Sequence, residues 1–327
     1  MIGRREFITL LGGAAATWPL AARAQQPGLP VIAFLNGSAP DLPLETAFRK
    51  GLGETGFVEG QNVLLEYYWF SGEYERVPAV VADLVRRRVA VIASPGFAPG
   101  AVAAKAATQT IPIVFAVVED PVNLGLVASL ARPGGNATGI NFLTAEVTAK
   151  RLDLLHALVP QSARIAVLAN PANGPSVETA LKQVDTAARA LGLQINVFKA
   201  SVSNEIDAAF GAIARERSDA LFILGDGFFH GRRVQLATLA IRDRIPSSYT
   251  AREYVEAGGL MSYAANLSDI NRQVGVYCGN ILKGSKPADL PVIQTSKFEF
   301  LINLQTAKAL GLNVPPTVLA TADEVIE

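Results

Sequence analysis

From Val31 onward, short runs of aliphatic and β-branched residues alternate with amphipathic stretches. "VIAFL" predicts a buried strand, "DLPLETAFRKGLGETG" a helix ending at Gly56, and "NVLLEYYWF" a second strand. "YERVPAVVADLVRRR" sets Val77, Val80, Val81, Leu84 and Val85 at i, i+3, i+4, i+7 and i+8, one face of a helix. "VAVIAS" and, after one more helix, "PIVFAVV" are the next strands. The order then restarts. "RIAVLANP" predicts a strand, and "PSVETALKQVDTAARALG" a helix with Val177, Leu181, Val184, Ala188 and Leu191 on one face. "QINVFKA", "EIDAAFGAIARER" and "DALFILGDG" continue as strand, helix and strand. Such alternation predicts parallel sheets covered on both faces. The expected fold class is α/β, with two Rossmann-like lobes.

The repeat disposes of one motif. "GLGETG", Gly51 to Gly56, has the glycine spacing of a dinucleotide fingerprint, with Glu73 downstream as a candidate ribose ligand. That chemistry needs a strand before the glycines and a helix opening on them. Here the glycines close a helix, so Gly56 is read as a left-handed residue just past its end. Gly192 has the same place in the second copy.

In open parallel sheets, ligands bind beyond the carboxyl ends of the strands. Two lobes face to face make those edges the walls of one cleft, and closure around a ligand is the expected motion. The loops there are "NGSAP", "SPGFAPG" and "EDPV" in the first lobe, and "NPANGPS", "GDGFFHG" and "SYTAREY" in the second. They supply the candidate ligand-binding residues Asn36, Ser38, Ser94, Phe97, Asp120, Asn170, Asn173, Asp226 and Tyr249. Asn and Ser orient polar groups, with Ser94 expected to begin a helix and hold a carboxylate with nearby N–H groups. Phe97 and Tyr249 pack a ring. Asp120 and Asp226 accept from an ammonium or hydroxyl, or cap helices if the ligand has no amine.

Length and charge narrow the picture. "GRREFITLLGGAAATWPLAARAQ" pairs Arg4 and Arg5 with an apolar stretch and an Ala22-Arg23-Ala24 cleavage pattern, which predicts a twin-arginine export signal over residues 1–24. Thr17, Pro19 and Arg23 leave the apolar run too short to span a bilayer, so no stable membrane insertion is expected. The roughly 300 remaining residues exceed what one core supports. Without Arg4, Arg5, Arg23 and Glu6 the balance is about −2, which gives no reason to expect nucleic acid. Cys278 is the only cysteine, and its helical setting reads as a small buried apolar residue.

Catalytic signatures are missing. His156 and His230 are the only histidines, without metal-ligand spacing, and His230 opens a helix near the cleft. No G-x-S-x-G elbow, P-loop or H-E-x-x-H occurs. The reading is a binding protein, not an enzyme, with no cofactor or metal.

At "DPVNLGLVASLARPGGNATGINFL" and "KRLDLLHALVPQSARIAVLANP" the chain resembles the substrate-binding proteins of ABC importers, in particular the tryptophan/tyrosine-type group. "GFVEGQNV", "GDGFF" and the closing "INLQTAKALGLNVPPTVLATADEVIE" carry the same resemblance, over essentially all of residues 30–327. It implies a type I periplasmic binding-protein clamshell with a three-crossing hinge. The crossings fall near Thr144, near Ser262 to Asn266 and near Thr295 to Lys297. The N-terminal lobe is then 30–144 plus 264–295, and the C-terminal lobe 145–263 plus 296–327. The expected ligand is small, an amino acid or an aromatic or amphipathic carboxylate, and the resemblance also implies a periplasmic location and a permease with its ATPase as partners. A sensory binding protein for a membrane receptor is the alternative, and a Rossmann-type enzyme a more distant one.

Overall fold

The computed structural model of the chain describes residues 28–142, 145–295 and 297–327. The export signal expected over 1–24 and the crossing expected near Thr144 lie outside the described residues.

Two sheets organise the molecule. The first has the order β11-β5-β4-β3-β1-β2, built from β1 (Val31–Asn36), β2 (Leu64–Trp69), β3 (Val91–Pro95), β4 (Ile113–Val117), β5 (Ala137–Asn141) and β11 (Ile293–Gln294). Its described pairings are all parallel. The helices α1 (Leu42–Glu54), α2 (Val77–Arg87) and α3 (Ala98–Ala107) follow β1, β2 and β3. Buried apolar residues lie on both faces of this sheet. On one, Ile92, Ile113 and Phe115 pack with Val81 and Leu84; on the other, Phe34, Val91 and Val114 pack with Phe48 and Val274. Uninterrupted apolar runs suit strands covered on both sides.

The second sheet repeats the plan. It runs β13-β12-β10-β9-β8-β6-β7 through β6 (Arg164–Ala169), β7 (Gln194–Lys199), β8 (Ala220–Ile223), β9 (Ser247–Tyr249), β10 (Met261–Ala265), β12 (Phe298–Asn303) and β13 (Glu324–Ile326). Strand β12 runs antiparallel to β10, among the described residues the one departure from the parallel plan read from the sequence. The helices α4 (Ala145–Leu158), α5 (Pro175–Ala190), α6 (Ser203–Arg215), α7 (Gly227–Gly231), α8 (Arg233–Arg242) and α9 (Arg252–Glu256) belong with this sheet. Gly56 and Gly192 follow α1 and α5 at φ +86° and +69°, so "GLGETG" ends a helix as its position in the repeat predicts.

After β10 the chain returns to the first sheet as α10 (Leu267–Leu282), which lies backbone to backbone on α1. A Cβ at Gly51 would overlap the Arg272 carbonyl oxygen, and one at Gly275 the Phe48 carbonyl oxygen. Cys278 is fully buried on α10, and burial pushes its thiol pKa up, away from reactivity.

Candidate functional site

The carboxyl edges of the two sheets face one another around a cavity of about 150 Å³. Cavities of about this size, lined by apolar side chains, take up a benzene ring. From the first lobe come Asn36 and Ser38 after β1, Pro95 to Pro99 after β3, and Val117 to Glu119 after β4. The second lobe contributes Asn173 and Ser176 after β6, Leu224 to Gly227 after β8, Thr250 after β9, and Arg151 from α4. Phe97, Phe142, Val177, Phe222 and Tyr263 supply the apolar part.

Arg151 is the unusual member. Helix α4 carries Val147, Arg151, Leu154 and Leu158 at the spacing of a buried stripe, and all four are buried. The guanidinium lies 3.7 Å from the centre of the Phe222 ring and donates from Nη2 to the Ile223 carbonyl at 2.6 Å. Its Nε has no partner, and among the described residues no carboxylate pairs with it. Burial pulls its pKa down to about 9, so the group is still a cation at neutral pH. A buried guanidinium of this kind calls for a carboxylate or phosphate.

Other polar groups of the lining are also short of partners, His230 Nε2 and Asn271 Oδ1 among them. Glu119 and Asn173 each present a buried oxygen without a hydrogen bond, and both line the cavity. Burial raises the Glu119 pKa, against the lowering effect of the Ser176 hydroxyl and nearby backbone N–H groups. These oxygens are suited to a ligand that donates. Asp226, by contrast, is satisfied within the protein. Its Oδ1 accepts from Asn170 Nδ2 at 2.9 Å and from the Phe228 and Phe229 N–H groups, and its Oδ2 accepts from the Tyr74 hydroxyl of the other lobe at 3.1 Å. Burial nonetheless raises its pKa.

Of the nine residues singled out in the sequence, Asn36, Ser38, Phe97, Asn173 and Asp226 line the cavity together. The other four do not, each for a visible reason. Ser94 belongs to β3, is fully buried and donates to the Phe97 carbonyl at 2.7 Å; the helix it was expected to begin starts at Ala98. Asp120 faces solvent and closes a turn by accepting from the Val122 and Asn123 N–H groups. Asn170 is fully buried, with its Oδ1 taken up by the Ala172 N–H and the Ser201 hydroxyl. Tyr249 is fully buried, stacked on Tyr254 at 4.8 Å, and its hydroxyl accepts from Ser247 at 2.8 Å. Two further groups escaped the sequence reading altogether: Arg151 in the cavity, and Asp41 at its rim.

A family model described as "ABC transporter substrate binding protein" matches residues 29–326. The chain belongs to that family. Among substrate-binding proteins of known structure, one from Streptococcus pneumonia, described as an ABC domain in complex with L-Trp, is similar at 26% identity and TM-score 0.80. The match covers 91% of this chain and 100% of that one. A conserved domain protein from Vibrio cholerae is similar at 29% identity and TM-score 0.80, over 90% of this chain and 99% of that one. A tyrosine-binding protein of Clostridioides difficile is 26% identical over 266 residues, 81% of this chain and 75% of that protein. The substrate-binding relatives are binding proteins, not enzymes, and the two α/β lobes with mostly parallel sheets are those of a type I periplasmic binding protein.

Proposed function

We propose that this substrate-binding protein is the periplasmic component of an ABC importer, exported with residues 1–24 removed. It closes over an aromatic amino acid or a related aromatic carboxylate and delivers it to a permease driven by an ATPase. The observation that carries the ligand class is Arg151, a buried cation in the cavity wall with no carboxylate of the described residues paired to it. The ligand carboxylate sits on Arg151, and a ring fills the space between Phe97, Val177 and Phe222. An amine, where the ligand has one, is held by Glu119 and Asn173. Asn36 and Ser38 shape the first-lobe wall, since Asn36 donates to the Pro95 carbonyl and accepts from the Ser38 N–H. The relatives support the class: one was solved with L-Trp and another is described as tyrosine-binding.

Thermal shift against amino acids, aromatic acids and uncharged aromatic amides tests this reading. A ligand at a hundredfold excess over its Kd adds about 2.7 kcal/mol to stability. Carboxylates are expected to raise the melting temperature, and their amides to leave it unchanged. Equal effects from acids and amides would remove Arg151 from ligand recognition.

A further inference from the structure

The two lobes also touch directly along the rim formed by the β1 loop and α7. Asp41 caps α1, its Oδ1 lying 3.4 Å from the Leu44 N–H. Its Oδ2 lies 3.4 Å from His230 Nε2 and 3.3 Å from Arg233 Nη1, both on the second lobe. The Asp41 side chain is 3% exposed. Both approaches have ion-pair distance without hydrogen-bond geometry, which leaves Oδ2 and Nε2 without hydrogen-bond partners. Next to this cluster the backbones meet. A Cβ on Gly227 would lie 2.7 Å from the Gly37 carbonyl carbon and 2.8 Å from the Ser38 nitrogen. Any side chain there would wedge the lobes apart.

We infer that Asp41 is a positioning residue for solute binding: held by His230 and Arg233, it sets how fully the lobes stay closed without touching the solute. Neither Asp41 nor Arg233 lines the cavity. Burial acts to raise the Asp41 pKa, yet His230, Arg233 and the Leu44 N–H together hold it below the ordinary carboxylate range. The closed arrangement therefore suits this charge better than water does. Apparent affinity scales with the population of the binding-competent state. Loss of the clasp thus weakens every solute by one common factor, whereas a residue that touches solute alters different solutes unequally.

The inference depends on the proposed function only for its probes. Asp41→Ser removes the charge but keeps a capping oxygen for α1, and Arg233→Met removes the cation 3.3 Å from Asp41 without altering the cavity lining. Affinities for L-tryptophan, L-tyrosine and L-phenylalanine are measured by calorimetry and stopped flow, and lobe separation by small-angle scattering. Both variants are expected to weaken each probe that the wild type binds by the same factor, about tenfold, chiefly through faster dissociation. Both are expected to enlarge the radius of gyration. Unequal factors among the probes would overturn the inference, as would Asp41→Ser with unchanged affinities and scattering but a lower melting temperature, the signature of a helix cap alone. If the wild type binds none of the three, the ligand is not one of these amino acids and scattering alone decides: an expanded Asp41→Ser supports the clasp, an identical curve ends it.

Discussion

Replacing Arg151 by Met should move two measurements in opposite directions. Burial pulls the guanidinium pKa to about 9, which corresponds to about 5 kcal/mol against the charged form. Stacking on Phe222 at 3.7 Å returns about 2 kcal/mol. Met fills the same apolar space without the charge, and such replacements of buried ionic groups commonly stabilise by about 1–4 kcal/mol. One loss opposes this, since the Ile223 carbonyl gives up its donor at about 1 kcal/mol. The free variant is therefore expected to melt at the wild-type temperature or a few degrees above it. Ligand binding goes the other way. Removing one member of a buried charge pair costs about 3–5 kcal/mol, or about 100-fold or more in Kd for a carboxylate. Calorimetry with a carboxylate that stabilises the wild type, alongside thermal melts of the free proteins, reads both quantities. A variant that melts lower and binds as before would refute the reasoning, and would make Arg151 a structural cation serving Ile223 and Phe222.

Three more outcomes follow from the same contacts. Glu119→Gln should weaken an aromatic amino acid about 10–100-fold by titration calorimetry while leaving its deaminated analogue within about twofold; equal losses would place the amine elsewhere. Asn170→Ala takes a donor from the buried Asp226 carboxylate and should cost about 1–3 kcal/mol in denaturant unfolding, with no loss at all excluding a supporting role. The third concerns pH. Asp41 faces His230 on α7 and Arg233 on α8, with Glu253 on α9 close enough to interact. Its folded pKa lies below its unfolded value, so its contribution is complete above the ordinary carboxylate range and disappears as pH falls through the folded pKa. Wild type and Asp41→Asn should thus differ in melting temperature at neutral pH and converge in acid; a constant gap would show that the charge is not its source.

The alternation of strand and helix was legible because uninterrupted apolar runs and 3.6-residue stripes leave few other folds for a chain of this length. The edge that forms the cleft was legible too, since it follows from topology. Which residue on that edge faces the cavity was not. Successive side chains at a strand end point to opposite sides, so Ser94 turns into the core while Phe97, after the turn, reaches the cavity. Tyr249 shows the same limit, because nothing in "SYTAREY" tells that its ring stacks on Tyr254. Arg151 did leave a trace. It is a cation at the buried position between Val147 and Leu154, on a helix whose other polar ring, His156, only meets Ser162 at 3.1 Å. Asp41 reads locally as a helix cap, and only the opposite lobe, nearly two hundred residues away, gives it a second task.

The helix that begins at Asp41 is pressed, at Gly51, against the helix that leaves β10. On the inference above, one helix thus carries the Asp41 clasp at its start and, further along, the tight backbone contact with the chain leaving β10. Bulk added at Gly51 or Gly275 should loosen that contact and shift solute release from a place no solute ever reaches.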